Sequence, residues 1–177
     1  MSKWTIDKEF SWEMGHRVWA QKLEHAELSI STECACKHLH GHSYTIKVFL
    51  TSKMLDQSEM VTDFKNLNFM KQFVDEVLDH KFMIDINDPN FERITGTTKP
   101  GEYLHIRNFT NLSNMRRSDD LDEATHINSF VLVNFVPTSE NICKYLFEYA
   151  QEKLKDVAKV EALELWETKK SHCRYEA

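Results

Sequence analysis

The run Ser43-Tyr-Thr-Ile-Lys-Val-Phe-Leu50 alternates: Tyr44, Ile46, Val48 and Leu50 fall on one side of an extended chain, and Ser43, Thr45 and Lys47 on the other. A period of two commits this stretch to a half-buried strand, and so to a sheet with an apolar face. What feeds the strand narrows the choice further. Cys36-Lys-His-Leu-His40-Gly-His42 runs straight into it. Where the extended geometry reaches back that far, His40 and His42 share a face and can converge on one ion. Imidazole suits zinc, and a catalytic zinc keeps three protein ligands and one open position, so a third ligand must come from elsewhere. His16 is the leading candidate, in the apolar-rich Phe10-Ser-Trp-Glu-Met-Gly-His16-Arg-Val18, which predicts a strand beside the first. His38 has the same parity as His40 and His42, so spacing alone leaves it in contention. A closed structural site of Cys34, Cys36, His40 and His42, with no position for a substrate, is the competing arrangement.

Beyond this strand the pattern changes to helical spacing. Asp63 is placed to cap a helix running to about Leu78, with Leu67, Met70, Val74, Val77 and Leu78 as its apolar stripe. Pro137-Thr138 opens a second helix, with Thr138 as N-cap, Glu140 in the first turn, and Ile142, Leu146, Tyr149 and Ala150 facing inward. Residues 157–166 return to strand character. There Leu163, Leu165 and Glu167 share one parity, and Val160, Ala162, Glu164 and Trp166 the other. Parity alone does not say which face holds Glu167. The order strand, strand, helix, insertion, helix, strand predicts an α+β fold with helices on one face of an antiparallel sheet.

The insertion spans residues 89–130. Glu102-Tyr-Leu-His-Ile-Arg-Asn108 and Asn128-Ser-Phe-Val-Leu-Val133 look strand-like, which predicts a hairpin with a polar tip. Arg93, Lys99, Arg107, Arg116 and Arg117 offer cations for a phosphate chain. Asp119, Asp120, Asp122 and Glu123 follow at once, and favour a solvated loop of mixed charge instead.

With 177 residues, 41% of them apolar, and no Pro/Gly/Ser-rich linker, the chain is expected to form one domain over 1–177. A net charge of −6 argues against a nucleic-acid partner. The N-terminus is charged too early for a signal sequence, and no apolar run approaches the roughly 18 residues of a membrane span, so the expected location is cytoplasmic. In such a compartment Cys34, Cys36, Cys143 and Cys173 are expected as reduced thiols, the last two in packing roles.

Six ordered segments carry a resemblance: Phe10-Ser-x-x-x-x-His16-Arg, Cys36-x-x-x-His40-Gly-His42-Ser-Tyr44, Val61-Thr-Asp63-Phe64, Leu78-Asp79-His80, Pro137-Thr-Ser-Glu-Asn141 and Glu167-Thr168. Together they cover most of the chain outside the insertion. The sequence resembles the family of 6-pyruvoyltetrahydropterin and 6-carboxytetrahydropterin synthases. That resemblance implies the tunnelling fold, a four-stranded antiparallel sheet with two helices on one face that closes into a barrel only by oligomerisation, usually as a homohexamer of two stacked trimers. It implies a Zn2+ ion held by His16, His40 and His42, and a small-molecule pterin substrate, 7,8-dihydroneopterin triphosphate. It assigns proton transfer to Cys36 with Asp79 and His80. Glu167 is the implied pterin anchor, with Thr138 and Ser139 beside the ring. The pyruvoyl-type members carry their cysteine six residues before the first histidine of the pair, the carboxy-type four before; this chain has Cys34 at six and Cys36 at four. The Cys-x-x-x-His-Gly-His spacing favours the carboxy-type lyase, whose product feeds deazaguanine and queuosine synthesis. The insertion is longer than the compact carboxy-type enzymes carry.

Overall fold

A computed structural model describes residues 2–29, 34–98, 106 and 108–177. Seven strands are hydrogen-bonded in the order β4-β5-β3-β1-β2-β6-β7. They are β1 (Trp4–His16), β2 (His40–Ser52), β3 (Lys81–Asp85), β4 (Thr110–Asn111), β5 (Phe130–Val133), β6 (Lys159–Thr168) and β7 (Ser171–Glu176). The helices are α1 (Asn68–Phe73), α2 (Phe91–Thr95), α3 (Leu121–Asn128) and α4 (Ser139–Leu154). The α+β class therefore stands, but the sheet is open, mixed and seven-stranded rather than antiparallel and four-stranded.

The insertion supplies the physical reason. A strand can lie parallel to its predecessor only if the connection crosses back over the sheet, which takes a dozen residues or more and usually a helix. Between β3 and β5 the chain makes α2 and α3, and β5 then pairs parallel to β3 with Phe82 opposite Phe130 and Asp85 opposite Val133. β3 also runs parallel to β1, with Met14 opposite Lys81. All four residues of β5 are buried, as expected of a strand covered on both faces. A short antiparallel pair does form at this edge, Thr110 opposite Leu132 and Asn111 opposite Val131, but the expected hairpin itself is not described in full. Its first arm lies outside the described residues, apart from Ile106 and Asn108. The mixed-charge tip is ordered too: Asp120 caps α3 by accepting from the Glu123 N–H at 2.9 Å.

Two compact units emerge. One comprises Met1–Trp12, His42–Asp79 and Ser139–Ala177. In it Tyr44, Ile46, Val48 and Leu50 are fully buried, as the alternation requires. Thr51 reaches the Trp4 carbonyl, Lys47 pairs with Glu9 and Ser11 meets Thr45, so β1 and β2 run antiparallel. α4 lays Ile142, Cys143, Leu146, Phe147, Ala150 and Leu154 on β6 and β7. Burying each large side chain among these contributes about 1.5–3 kcal/mol. The simple parity of β6 fails at one point. Phe49 pairs with Ala162 but Leu50 with Val160, which leaves Glu161 as an extra residue and swings Val160 onto the inner face with Leu163 and Leu165.

The other unit comprises Glu13–Gly41 and His80–Thr138. Its core joins Ile84 of β3 and Ile86 just after it to Phe91, Ile106, Leu112, Ile127, Phe130 and Leu132. The described part of the insertion therefore packs into an apolar centre that it shares with β3 and β5. No helix among the described residues is long and apolar enough to cross a membrane.

Candidate metal centre

β1 ends at His16 and β2 begins at His40. Two glycines let these strand ends approach: a Cβ on Gly15 would stand 2.5 Å from the Phe82 ring and 3.2 Å from the His40 carbonyl, and one on Gly41 would stand 3.1 Å from the Met14 carbonyl. The close approach sets the His16 and His40 rings 4.5 Å apart, centre to centre. His42 follows two residues along β2, and one ligand nitrogen from each of the three imidazoles lies within 4.8 Å of the others. Zinc–nitrogen bonds of about 2.0–2.1 Å put the nitrogens of a tetrahedral site roughly 3.4 Å apart, so modest side-chain movement closes this triangle on an ion.

The ring orientations suit that use. His16 Nδ1 lies 2.7 Å from the Pro137 carbonyl, and His40 Nδ1 lies 2.8 Å from the His38 carbonyl. A carbonyl can only accept, so each Nδ1 carries a proton, and the neutral ring so held is the tautomer that presents Nε2 to a metal. Both Nε2 atoms are buried, and His16 as a residue is only 1% exposed. His42 sets its ring edge-on to Tyr44 at 5.6 Å, and Tyr44 is itself stacked on Trp12 at 5.3 Å. His38, which parity alone left in contention, contributes through its backbone. Among the described residues, neither Cys34 nor Cys36 joins the histidine cluster, which disfavours the closed four-ligand arrangement.

The segment after His16 is anchored by two buried carboxylates, Asp85 and Asp88. Trp19 donates its indole N–H to Asp85 at 2.8 Å, and Arg17 lies 3.4 Å from Asp88. Asp85 and Asp88 are 2% and 4% exposed. A carboxylate inside the apolar run Phe-Met-Ile-Asp85-Ile demands a buried partner, and that demand was the available signal.

Of the remaining candidates, Cys36, Asp79 and His80 occupy irregular backbone. Asp79 ends the helical stretch that begins in a 3-10 turn capped by Asp63, continues as α1 and closes as a π turn over Val74–Leu78. His80 follows with φ +57°, a left-handed conformation unusual for a residue with a Cβ. Its N–H donates to the Glu13 carbonyl at 2.8 Å, tying it to β1 three residues ahead of His16. Cys36 lies in the 3-10 turn Ala35–Lys37, and its carbonyl accepts from Val18 N–H at 2.8 Å. The Cys34 thiol is held below its ordinary range, chiefly because the Cys36 backbone N–H points at its sulfur, with help from the Cys36 thiol, the Gln21 side chain and Lys37. Thr138 directly follows the Pro137 carbonyl that orients His16, and Ser139 starts α4. Glu167 is half-buried and is the odd residue where β6 slips against β7, between the pairs Trp166–His172 and Thr168–Ser171. Arg116 is committed locally, to the Gly96 carbonyl, Thr97 and Glu123. Lys99 and Arg107 lie outside the described residues.

Known proteins resemble the chain over nearly its whole length. A 6-carboxy-5,6,7,8-tetrahydropterin synthase of Aquifex aeolicus is 31% identical over 183 residues, covering 98% of both chains. Its namesake in Haemophilus influenzae is 25% identical over 97% of both. The crystal structure of an uncharacterized protein from Wolinella succinogenes superimposes with a TM-score of 0.85 at 35% identity, covering 99% of each chain. The Caenorhabditis elegans 6-pyruvoyl tetrahydropterin synthase shares the fold, with a TM-score of 0.53 at 23% identity over 100% of this chain and 97% of that one. Since the family model described as 6-pyruvoyl tetrahydropterin synthase matches residues 5–177, the chain belongs to that family of pterin-processing lyases.

Proposed function

We propose that the chain is a zinc-dependent carbon–carbon lyase converting 7,8-dihydroneopterin triphosphate to 6-carboxytetrahydropterin, with loss of acetaldehyde and triphosphate, as a step toward deazaguanine and queuosine. The observation that carries this reading is the trio His16, His40 and His42, two of whose rings are fixed by backbone carbonyls in the tautomer that leaves Nε2 for a metal. The 31%-identical relative of the same printed activity supports the choice of reaction.

The three imidazoles would hold the ion, which when bound acts as a Lewis acid on the substrate's side-chain hydroxyls. The chain's own residues do the rest. Cys36 takes the acidified carbon-bound proton as a thiolate, and His80, steadied by the Asp79 carboxylate, moves it onward. Glu167 accepts paired hydrogen bonds from the pterin amino and ring N–H groups, with Thr138 and Ser139 beside the ring. The chain works as one domain in the cytoplasm. Copies of it close the open sheet into a barrel as a homohexamer, which covers the edges that β4 and β7 present.

A pyruvoyl-type reaction, eliminating triphosphate alone, is the second reading, and the lowered Cys34 thiol at the six-residue spacing favours it. Incubating metal-loaded protein with 7,8-dihydroneopterin triphosphate separates the two. Acetaldehyde appearing with the carboxy product supports the first. Triphosphate without acetaldehyde supports the second, and release of neither removes both.

A further inference from the structure

The second cysteine pair lies away from the histidine cluster in sequence and is not used by the proposed reaction. Cys143 sits in α4 and is fully buried; Cys173 sits in β7 opposite Leu165 and is partly exposed. Cys143 Sγ lies 3.2 Å from the Leu163 carbonyl and 3.9 Å from the Cys173 carbonyl, while Cys173 Sγ lies 3.4 Å from the Ser139 carbonyl. The two side chains therefore converge in the seam where α4 packs on β7. Two thiols in one seam, one reachable and one sheltered, form the arrangement of an attacking and a resolving cysteine.

We propose that Cys173 and Cys143 are a thiol–disulfide exchange site, in which Cys173 attacks a small-molecule disulfide such as glutathione disulfide and Cys143 resolves the adduct into an intramolecular bond. In the first step the Cys173 thiolate forms a bond to one glutathione sulfur and the other glutathione leaves as thiolate. Next the Cys143 sulfur, its proton passing to that thiolate, attacks Cys173 and expels the second glutathione. One disulfide is made and one broken; the protein loses two hydrogens, and two reduced glutathione molecules leave.

Electrostatics divides the roles in the same way. The Cys173 thiol lies below its ordinary range because the Cys143 thiol is hydrogen-bonded to its sulfur, against its own burial and the fields of Glu140 and Glu167. Cys143 is pushed up, first by holding its proton toward Cys173 and then by burial. Capping Cys173 in the adduct removes the first of those causes, which fits Cys143 for the resolving rather than the attacking step. The bond would join the first third of α4, which begins at Ser139, to β7 beside the β6 bulge at Glu167.

Treatment of the purified full chain with glutathione disulfide, followed by intact mass and peptide mapping, tests the site without reference to pterin turnover. The expected product is lighter by about two mass units and carries a peptide linking Cys143 to Cys173. Cys143→Ala should instead trap glutathione on Cys173, and Cys173→Ser should abolish both products at this pair. A wild-type protein whose Cys143 and Cys173 both stay reduced, or a Cys143→Ala protein that gains glutathione only on other cysteines, overturns the proposal. Because the readout is mass, a failed pterin assay would leave this result standing, and the reverse holds too.

Discussion

The histidine trio and the proton-transfer candidates are built on opposite kinds of backbone. His16, His40 and His42 sit at the ends of long regular strands, where two rings are locked by carbonyls and a glycine on each strand sets the spacing. Cys36, Asp79 and His80 sit on a 3-10 turn, a π-closed helix end and a left-handed residue. A metal needs three donors held to a few tenths of an ångström, which repeating hydrogen-bonded structure provides. A proton carrier must reach past that frame toward a substrate, and irregular backbone aims a side chain where no strand or helix register would. Substitutions in the two groups should therefore fail differently.

The largest effect is expected from the frame. His16→Ala should remove the metal, lowering zinc affinity by more than the roughly 10–100-fold typical of losing a partner outside the coordination sphere, as read by metal content after dialysis. Turnover should vanish with it. Cys36→Ala should keep its zinc and lose about 10²–10⁴ in turnover, while Cys34→Ala stays active. Zinc loss from Cys36→Ala would mean that both groups form one coordination sphere and the contrast is false. The lowered Cys34 thiol adds a sign: its alkylation by iodoacetamide should reach half its maximal rate below the pH of about 8.5 expected of a free cysteine. Equal activity loss in both cysteine variants would instead favour two thiols acting together.

A smaller effect sharpens the same point without touching a ligand. Gly15→Ala drives a methyl group to 2.5 Å from the Phe82 ring and 3.2 Å from the His40 carbonyl. Overpacking of this kind costs about 1–3 kcal/mol, measurable by urea unfolding, and the displaced His40 backbone should weaken zinc binding. Stability lost with metal affinity unchanged would show that the strand spacing does not govern the site.

The two backbones also differed in how far they could be read from sequence. Tyr44 to Leu50 announced β2 because side-chain period and burial coincide there. The bulge at Glu161 leaves no such mark: nothing in Val160-Glu-Ala-Leu163 says that one residue is extra, so parity alone separates Val160 from Leu163 and Leu165. β7, written Ser-His-Cys-Arg-Tyr-Glu, is too polar to announce itself as an edge strand, and β3 was hidden behind the Asp79-His80 motif. The histidines of the cluster were legible as residue types. Their orienting partners, the carbonyls of Pro137 and His38, were not, since every residue has a carbonyl. The parallel pairing of β3 with β5 depends on a crossover whose helix α3 falls in the stretch that charge alone marks as a polar tip.

The finest test uses two residues that share an unusual backbone. Glu59 and His80 both have φ near +60°, at 59° and 57°. Glu59 lies in an exposed turn where Asp56 accepts from the N–H groups of Ser58 and Met60. For a side chain with a Cβ this conformation costs roughly 1–2 kcal/mol, and asparagine tolerates it better. Glu59→Asn and His80→Asn should therefore each hold or raise the melting temperature, by no more than a few degrees for about 1 kcal/mol. Only their activities should part: Glu59→Asn should turn over normally, and His80→Asn should be stable, zinc-replete and inactive. A His80→Asn protein that stays active would mean that the left-handed backbone at that position serves the turn into β3, and that the imidazole has no part in moving the proton.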